Sequence, residues 1–368
     1  MAWRIARRIW RSWENNDLKS WMLGSYSLKR SITAATVNSQ HPQEQAAAVV
    51  EKFYLEPEEH RTRRGMWYVL LASVLWGTTG TAQAVAPEGA QPLTVGFMRL
   101  LLGTLFLIMI AARQGHLASL KHWRDWPLRT TALASIAIAA YQLFFFAAVA
   151  RTGVAVGTIV GIGSTPIAAG ILTYVAFRAF AGRRWFISTL LALAGCTLLI
   201  MAGGNIRVNG PGILLAMSAG FSYALYTLLT KELLERQPRG AVLSVTFFFG
   251  SMLMLPILLF GDFSWLAEPG GKLVALHLGI ITVGVAYSLY AMGLSIISVA
   301  ATATLTLAEP LTAGLLGIFV LGEELSGMAL AGIVLLFTGL VFLVWQPSKS
   351  AATSAIRNPK SPFEKGDI

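Results

Sequence analysis

The chain has 368 residues, of which 55% are apolar and only 13% charged, with a mean hydropathy of +0.61. Soluble proteins carry about a quarter charged residues, so this composition excludes an ordinary soluble domain and points to a chain embedded in a membrane. The net charge of +11 does not indicate nucleic acid, because the basic residues sit in an N-terminal tail and between apolar runs, the pattern of membrane topology.

Residues 1–64 form a basic N-terminal extension and linker. Trp3, Trp10 and Trp13 fall near one helical face, with Arg4, Arg7, Arg8 and Arg11 mostly elsewhere. Such a helix can lie on an anionic membrane surface; the other reading is a dispensable tail, since Met66 stands just before the first apolar run. The tail lacks the apolar stretch of a signal peptide.

From residue 66 the apolar runs reach the ~20 residues that cross a bilayer. Spans are expected near 66–86, 94–113, 130–150, 153–177, 184–203, 210–230, 241–260, 273–294, 298–321 and 327–346. Pro87, Pro92, Pro127, the Gly210-Pro211 pair and Pro238 punctuate their ends. The expected fold is all-α, a polytopic membrane protein of ten transmembrane helices. A first repeat of five helices covers 65–205, a second covers 206–346, and a cytoplasmic tail covers 347–368.

The two halves are related in sequence. Thr165-Pro166-Ile167-Ala168-Ala169-Gly170-Ile171-Leu172 returns as Glu309-Pro310-Leu311-Thr312-Ala313-Gly314-Leu315-Leu316. Thr158 pairs with Thr302, Gly195 with Gly339, Tyr141 with Tyr287 and Leu143 with Leu289, at offsets of 144 to 146. A long repeat of hydrophobic helices is a mark of secondary transporters. With the N-terminus in the cytoplasm, fourteen Lys and Arg near the spans fall inside and three (Arg151, Arg207 and Lys272) fall outside, so both termini are expected to be cytoplasmic. An odd number of helices per unit then makes the repeats inverted, with a substrate site near the midplane between them.

Few residues in the spans carry chemistry. Pro166 and Pro310 interrupt equivalent helices, where each removes a backbone donor; they read as hinges or as packing kinks. Gly153, Gly157 and Gly161 have the spacing of close helix packing. Arg99 is the one arginine deep in a span and Glu309 the one deep carboxylate. Burying either costs a few kcal/mol, so each needs a partner or a wet cavity, and a static role competes with a functional one. Trp76, Tyr141, Phe145, Tyr223, Tyr226, Tyr287 and Tyr290 stand where they could line a cavity, Thr165 faces Glu309 in the repeat, and Arg99 has no basic mate. There is no phosphate loop, no metal-ligand spacing of His and Cys, and no histidine at the depth of a mid-span serine. The lone Cys196 forms no internal disulfide. No cofactor, metal or catalytic residue is expected.

Trp76-Gly77, Phe97-Met98-Arg99, Thr165-Pro166, Glu309-Pro310 and Gly322-Glu323, in this order within residues 65–346, resemble the EamA family of the drug/metabolite transporter superfamily. The resemblance implies a bacterial inner-membrane permease of two inverted five-helix repeats working by alternating access. Its expected activity is export of a small metabolite, such as an amino acid or an aromatic compound, with the lipid bilayer as its other partner. The competing readings are a passive facilitator without ion coupling, or a membrane-embedded enzyme or scaffold.

Overall fold

The computed structural model describes residues 58–178, 181–202, 209–322 and 326–345. The basic amphipathic stretch near residues 3–13, Arg207, Glu323 and the C-terminal tail lie outside the described residues. Every regular element among the described residues is helical. In chain order these are α1 (Glu58–Ala84), α2 (Pro92–Arg113), α3 (Leu128–Gly153), α4 (Val156–Ala176), α5 (Gly182–Ala202), α6 (Gly210–Arg236), α7 (Arg239–Phe260), α8 (Pro269–Leu294), α9 (Val299–Val320) and α10 (Gly327–Val344).

Eight of them, α2–α4 and α6–α10, are long and apolar enough to cross a membrane. α1 and α5 are also of spanning length but are not among the eight. In α1 the run Trp76-Gly77-Thr78-Thr79-Gly80-Thr81 lowers the hydropathy of its second half, and part of that run faces the interior site.

The helix ends follow from punctuation in the sequence. Pro92, Pro211 and Pro269 sit at helix starts, where a missing N–H costs nothing. Asn209 accepts a hydrogen bond from the Gly212 nitrogen at 2.8 Å, and Ser298 and Ser326 cap α9 and α10 in the same way. Between α3 and α4, Gly153 adopts φ 82° and ψ 164°, a conformation reserved for glycine. Gly153 is therefore a chain break and not part of a packing stripe. Only Gly157 and Gly161 of that spacing pack, against Val149 of α3 and the Ala216 carbonyl of α6.

The surface is apolar and the interior carries the hydroxyls, the arrangement lipid selects. Leu133, Ile136, Ile171, Leu253 and Phe337 are at least half exposed. The hydroxyls of Ser73, Thr104, Thr227 and Ser251 donate to carbonyls four residues back on their own helices, so each is satisfied without water. Helices meet where glycine removes a side chain. A methyl group on Gly339 of α10 would lie 2.8 Å from both the Ser188 oxygen and the Ala192 nitrogen of α5, and one on Gly195 of α5 would meet Gly332 and Leu336 of α10. Gly103 of α2 meets Gly279 and Val283 of α8 in the same way, and Gly250 of α7 meets Ser135 and Ile138 of α3.

Candidate functional site

The site lies where the two proline-bearing helices meet α1, α2, α3, α6 and α8. In α9, the segments Val299–Leu305 and Ala308–Leu321 are separated at Thr306–Leu307. Pro310 supplies no N–H to the Thr306 carbonyl, which instead accepts from Glu309 N at 2.9 Å, a tighter turn than the α-helix makes. α4 stays helical through Pro166. The repeated proline thus breaks one helix and is absorbed by the other.

Trp76, Arg99, Tyr141, Ile162, Thr165, Tyr223, Tyr287, Thr306 and Glu309 line a partly open cavity with about 340 Å³ of space not filled by atoms, open solvent included. The part wide enough for solvent is about that of a single water, so the cavity as it stands has no room for a larger molecule. Seven of the ten residues singled out in the sequence line it. The remaining three stand behind the wall as ring neighbours: Phe145 lies 5.7 Å from Tyr141, Tyr226 lies 6.0 Å from Tyr223, and Tyr290 lies 5.3 Å from Trp76.

Ile162 and Thr306 were not anticipated. Each stands four residues before a repeated proline, where the helix carbonyl loses its usual donor. Counting back four from Pro166 and Pro310 would have found both.

The walls are placed by specific contacts. Trp76 donates its Nε1–H to the Thr282 carbonyl at 2.7 Å, within the widened π-helical stretch His277–Val285 of α8; such stretches concentrate at functional sites. At one end of that stretch, Thr78 donates to the Leu75 carbonyl at 2.7 Å and its oxygen lies 2.8 Å from His277 Nε2. Gly77 lets α1 lie against α9, since a methyl there would come within 2.8 Å of the Glu309 carbonyl. Ring pairs repeat across the halves: Trp76–Tyr287 and Tyr223–Tyr141 both have centroids 4.9 Å apart.

The two charges share the cavity without neutralising each other. Arg99 is 5% exposed, its guanidinium carbon lies 5.9 Å from the Phe146 ring centroid, and its Nε has no hydrogen-bond acceptor. Glu309 is half-buried. Among the described residues no ion pair within 4.0 Å joins them. The Tyr223 hydroxyl faces that of Tyr290 without closing a bond of acceptable geometry, while Tyr290 bonds Thr227 at 2.6 Å. A cation, a carboxylate and a hydroxyl therefore stand with open valences around one aromatic-walled space. No group of three or more His, Cys, Asp or Glu able to hold a metal occurs among the described residues.

The model of the EamA-like transporter family matches this chain twice, over residues 63–201 and 210–345. The chain is 43% identical over 290 residues to an uncharacterized transporter, YwfM, of Bacillus subtilis, covering 78% of this chain and 96% of that protein. At 25% identity over 303 residues it is similar to a probable amino-acid metabolite efflux pump of Salmonella typhimurium, covering 77% of this chain and 96% of that protein. A solved crystal structure with 20% identity superposes with a TM-score of 0.67 over 76% of this chain and 95% of that one, a likeness of fold alone.

Proposed function

Because the chain belongs to the EamA-like transporter family, we propose that it is a secondary transporter that exports a small ionised metabolite across a bacterial inner membrane by alternating access. The carrying observation is the shared cavity in which Arg99 and Glu309 stand unpaired among four aromatic rings. Arg99 Nε–H would receive a substrate carboxylate, and Glu309 would take a substrate amine or a coupling proton. Tyr141, Tyr223, Tyr287 and Trp76 would hold the apolar part. The efflux pump among the relatives supports the direction.

The architecture we infer is ten spans in two inverted repeats, with α1 and α5 completing the membrane set. Its support is reciprocal packing between mates. Gly195 of α5 meets 332 and 336 of α10, while Gly339 of α10 meets 188 and 192 of α5; at an offset of 144 these are one contact written twice. Residue numbers run oppositely along it, so the mated helices are antiparallel, as an in-plane two-fold axis requires. The excess of inner Lys and Arg supports cytoplasmic termini.

Flux of labelled amino acids and aromatic metabolites into or out of proteoliposomes tests the reading. Saturable flux for at least one is expected; flux no greater than in empty vesicles across the panel overturns it.

A further inference from the structure

We propose that Lys231 is a gating residue that latches one end of the transport pathway, and that the opposite end has no counterpart. Lys231 lies in the last turns of α6 and points its ammonium at a different part of the chain. Nζ donates to the Leu294 carbonyl at 2.7 Å and to the Ile297 carbonyl at 3.2 Å. Leu294 is the last residue of α8, and Ile297 sits in the turn that leads to α9. One side chain thus ties α6 to the junction of the two helices that carry Tyr287 and Glu309.

The same end is closed by packing. A methyl on Gly65 of α1 would lie 2.9 Å from Ile296 Cβ, and one on Gly293 would lie 2.6 Å from the Gly65 carbonyl. Leu294 and Ile297, whose carbonyls the lysine bonds, are buried. A cation whose ammonium is spent on two carbonyls in this setting holds three segments in register.

The repeat identifies the matching place at the other end. Trp76 and Tyr223 are mates at an offset of 147, which puts Ala84 of α1 opposite Lys231. Ala84 is exposed and carries no donor, and Ala148, the mate of Leu294 at the offset of 146 that Tyr141 and Tyr287 set for these helices, is buried within its own half. The turn there keeps its cation to itself: Arg151 donates to Ala147 of its own helix at 3.2 Å and is exposed. α6 packs against α8 and α9, whereas α1 has no comparable packing with α3 or α4 among the described residues. The fold is symmetric, but the tie is made at one end.

Lys231's place in a transport cycle rests on the transporter reading; the closure it enforces is measured without transport. Thr230, fully buried beside it, has a hydroxyl without a partner, so Thr230→Cys is a mild reporter once Cys196 is replaced by alanine. The maleimide reaction rate of this cysteine in the detergent-solubilised full chain is compared in the Lys231, Lys231→Met and Lys231→Arg backgrounds. Lys231→Met should speed labelling by about tenfold, the shift for loss of one charge-assisted hydrogen bond, and Lys231→Arg should stay near the parent. Cys196, retained in a parallel set with Thr230 intact, is buried in α5 and should stay equally slow to label in all three, which excludes general unfolding. Equal rates at Thr230→Cys with and without the lysine overturn the latch; absent flux with accelerated labelling overturns the transporter reading and leaves the latch standing.

Discussion

At Arg99 the sequence carries a cost that the fold does not recover. A buried guanidinium needs acceptors, and here Nε has none, with only a ring face 5.9 Å away and no carboxylate within 4.0 Å. Replacing such a charge by an apolar residue of similar length is often neutral or stabilising. Arg99→Met should therefore leave the thermal midpoint of the purified protein unchanged or higher, while flux of a carboxylate-bearing substrate falls by more than about tenfold, the value of one charge-assisted hydrogen bond. A static structural arginine gives the opposite pairing, lost stability with retained flux among the molecules that fold. Glu309→Gln separates the roles left open for the carboxylate. A group that binds and releases a proton makes wild-type flux depend on pH, and the amide should flatten that dependence. If both profiles coincide, Glu309 shapes the cavity without carrying a proton, and a facilitator without ion coupling is favoured. Both charges were legible in the sequence because ionised residues are rare in spans. Ile162 and Thr306 were not, because what they bring to the site starts from their backbone positions and leaves no mark in side-chain chemistry.

Among the helices, the informative contrast is between α4 and α9. The motif is the same, yet Pro166 sits in a continuous helix and Pro310 follows a break. The sequence placed a proline in each helix but could not say which would open, since the ring's clash with the carbonyl four residues back is relieved by surroundings that the local motif does not encode. Pro310→Ala restores the missing N–H and should let α9 run through Thr306. The expected result is a higher thermal midpoint and slower flux, with a smaller effect on both from Pro166→Ala. Equal effects would mean that the break in α9 has no part in the cycle. Gly77 tests the neighbouring contact. A β-branched side chain there has no room against Thr312 and the Glu309 carbonyl, so Gly77→Val should destabilise by a few kcal/mol, in the range of overpacked cores, and lower expression accordingly. The glycine spacing in α4 shows the limit of pattern reading: three glycines at the right interval suggested one packing face, and the positive φ of Gly153 moved it into the connection.

For the molecule as a whole, the duplicated sequence was the most legible feature, and reciprocal contacts carry it into three dimensions: Gly195 and Gly339 between α5 and α10, Trp76–Tyr287 and Tyr223–Tyr141 around the cavity. In the inverted arrangement proposed above, the halves would interchange conformations, so that the end now tied by Lys231 opens as the other closes. Under that exchange Ala84 approaches Ala148 as Lys231 now approaches Leu294. Ala84→Cys with Ala148→Cys, in a chain lacking Cys196, is the direct test, since a disulfide needs Cα atoms within about 7 Å. Ala84 is exposed in the present arrangement and Ala148 is buried, so little cross-linking should occur at rest. Adding Lys231→Met should release the opposite end and raise the cross-linked fraction under the same oxidant. The disulfide should then stop flux, and a reductant should restore it. Rapid cross-linking with the lysine intact, or none once it is removed, would mean that the two ends do not exchange roles and that the repeat serves the fold without serving the cycle.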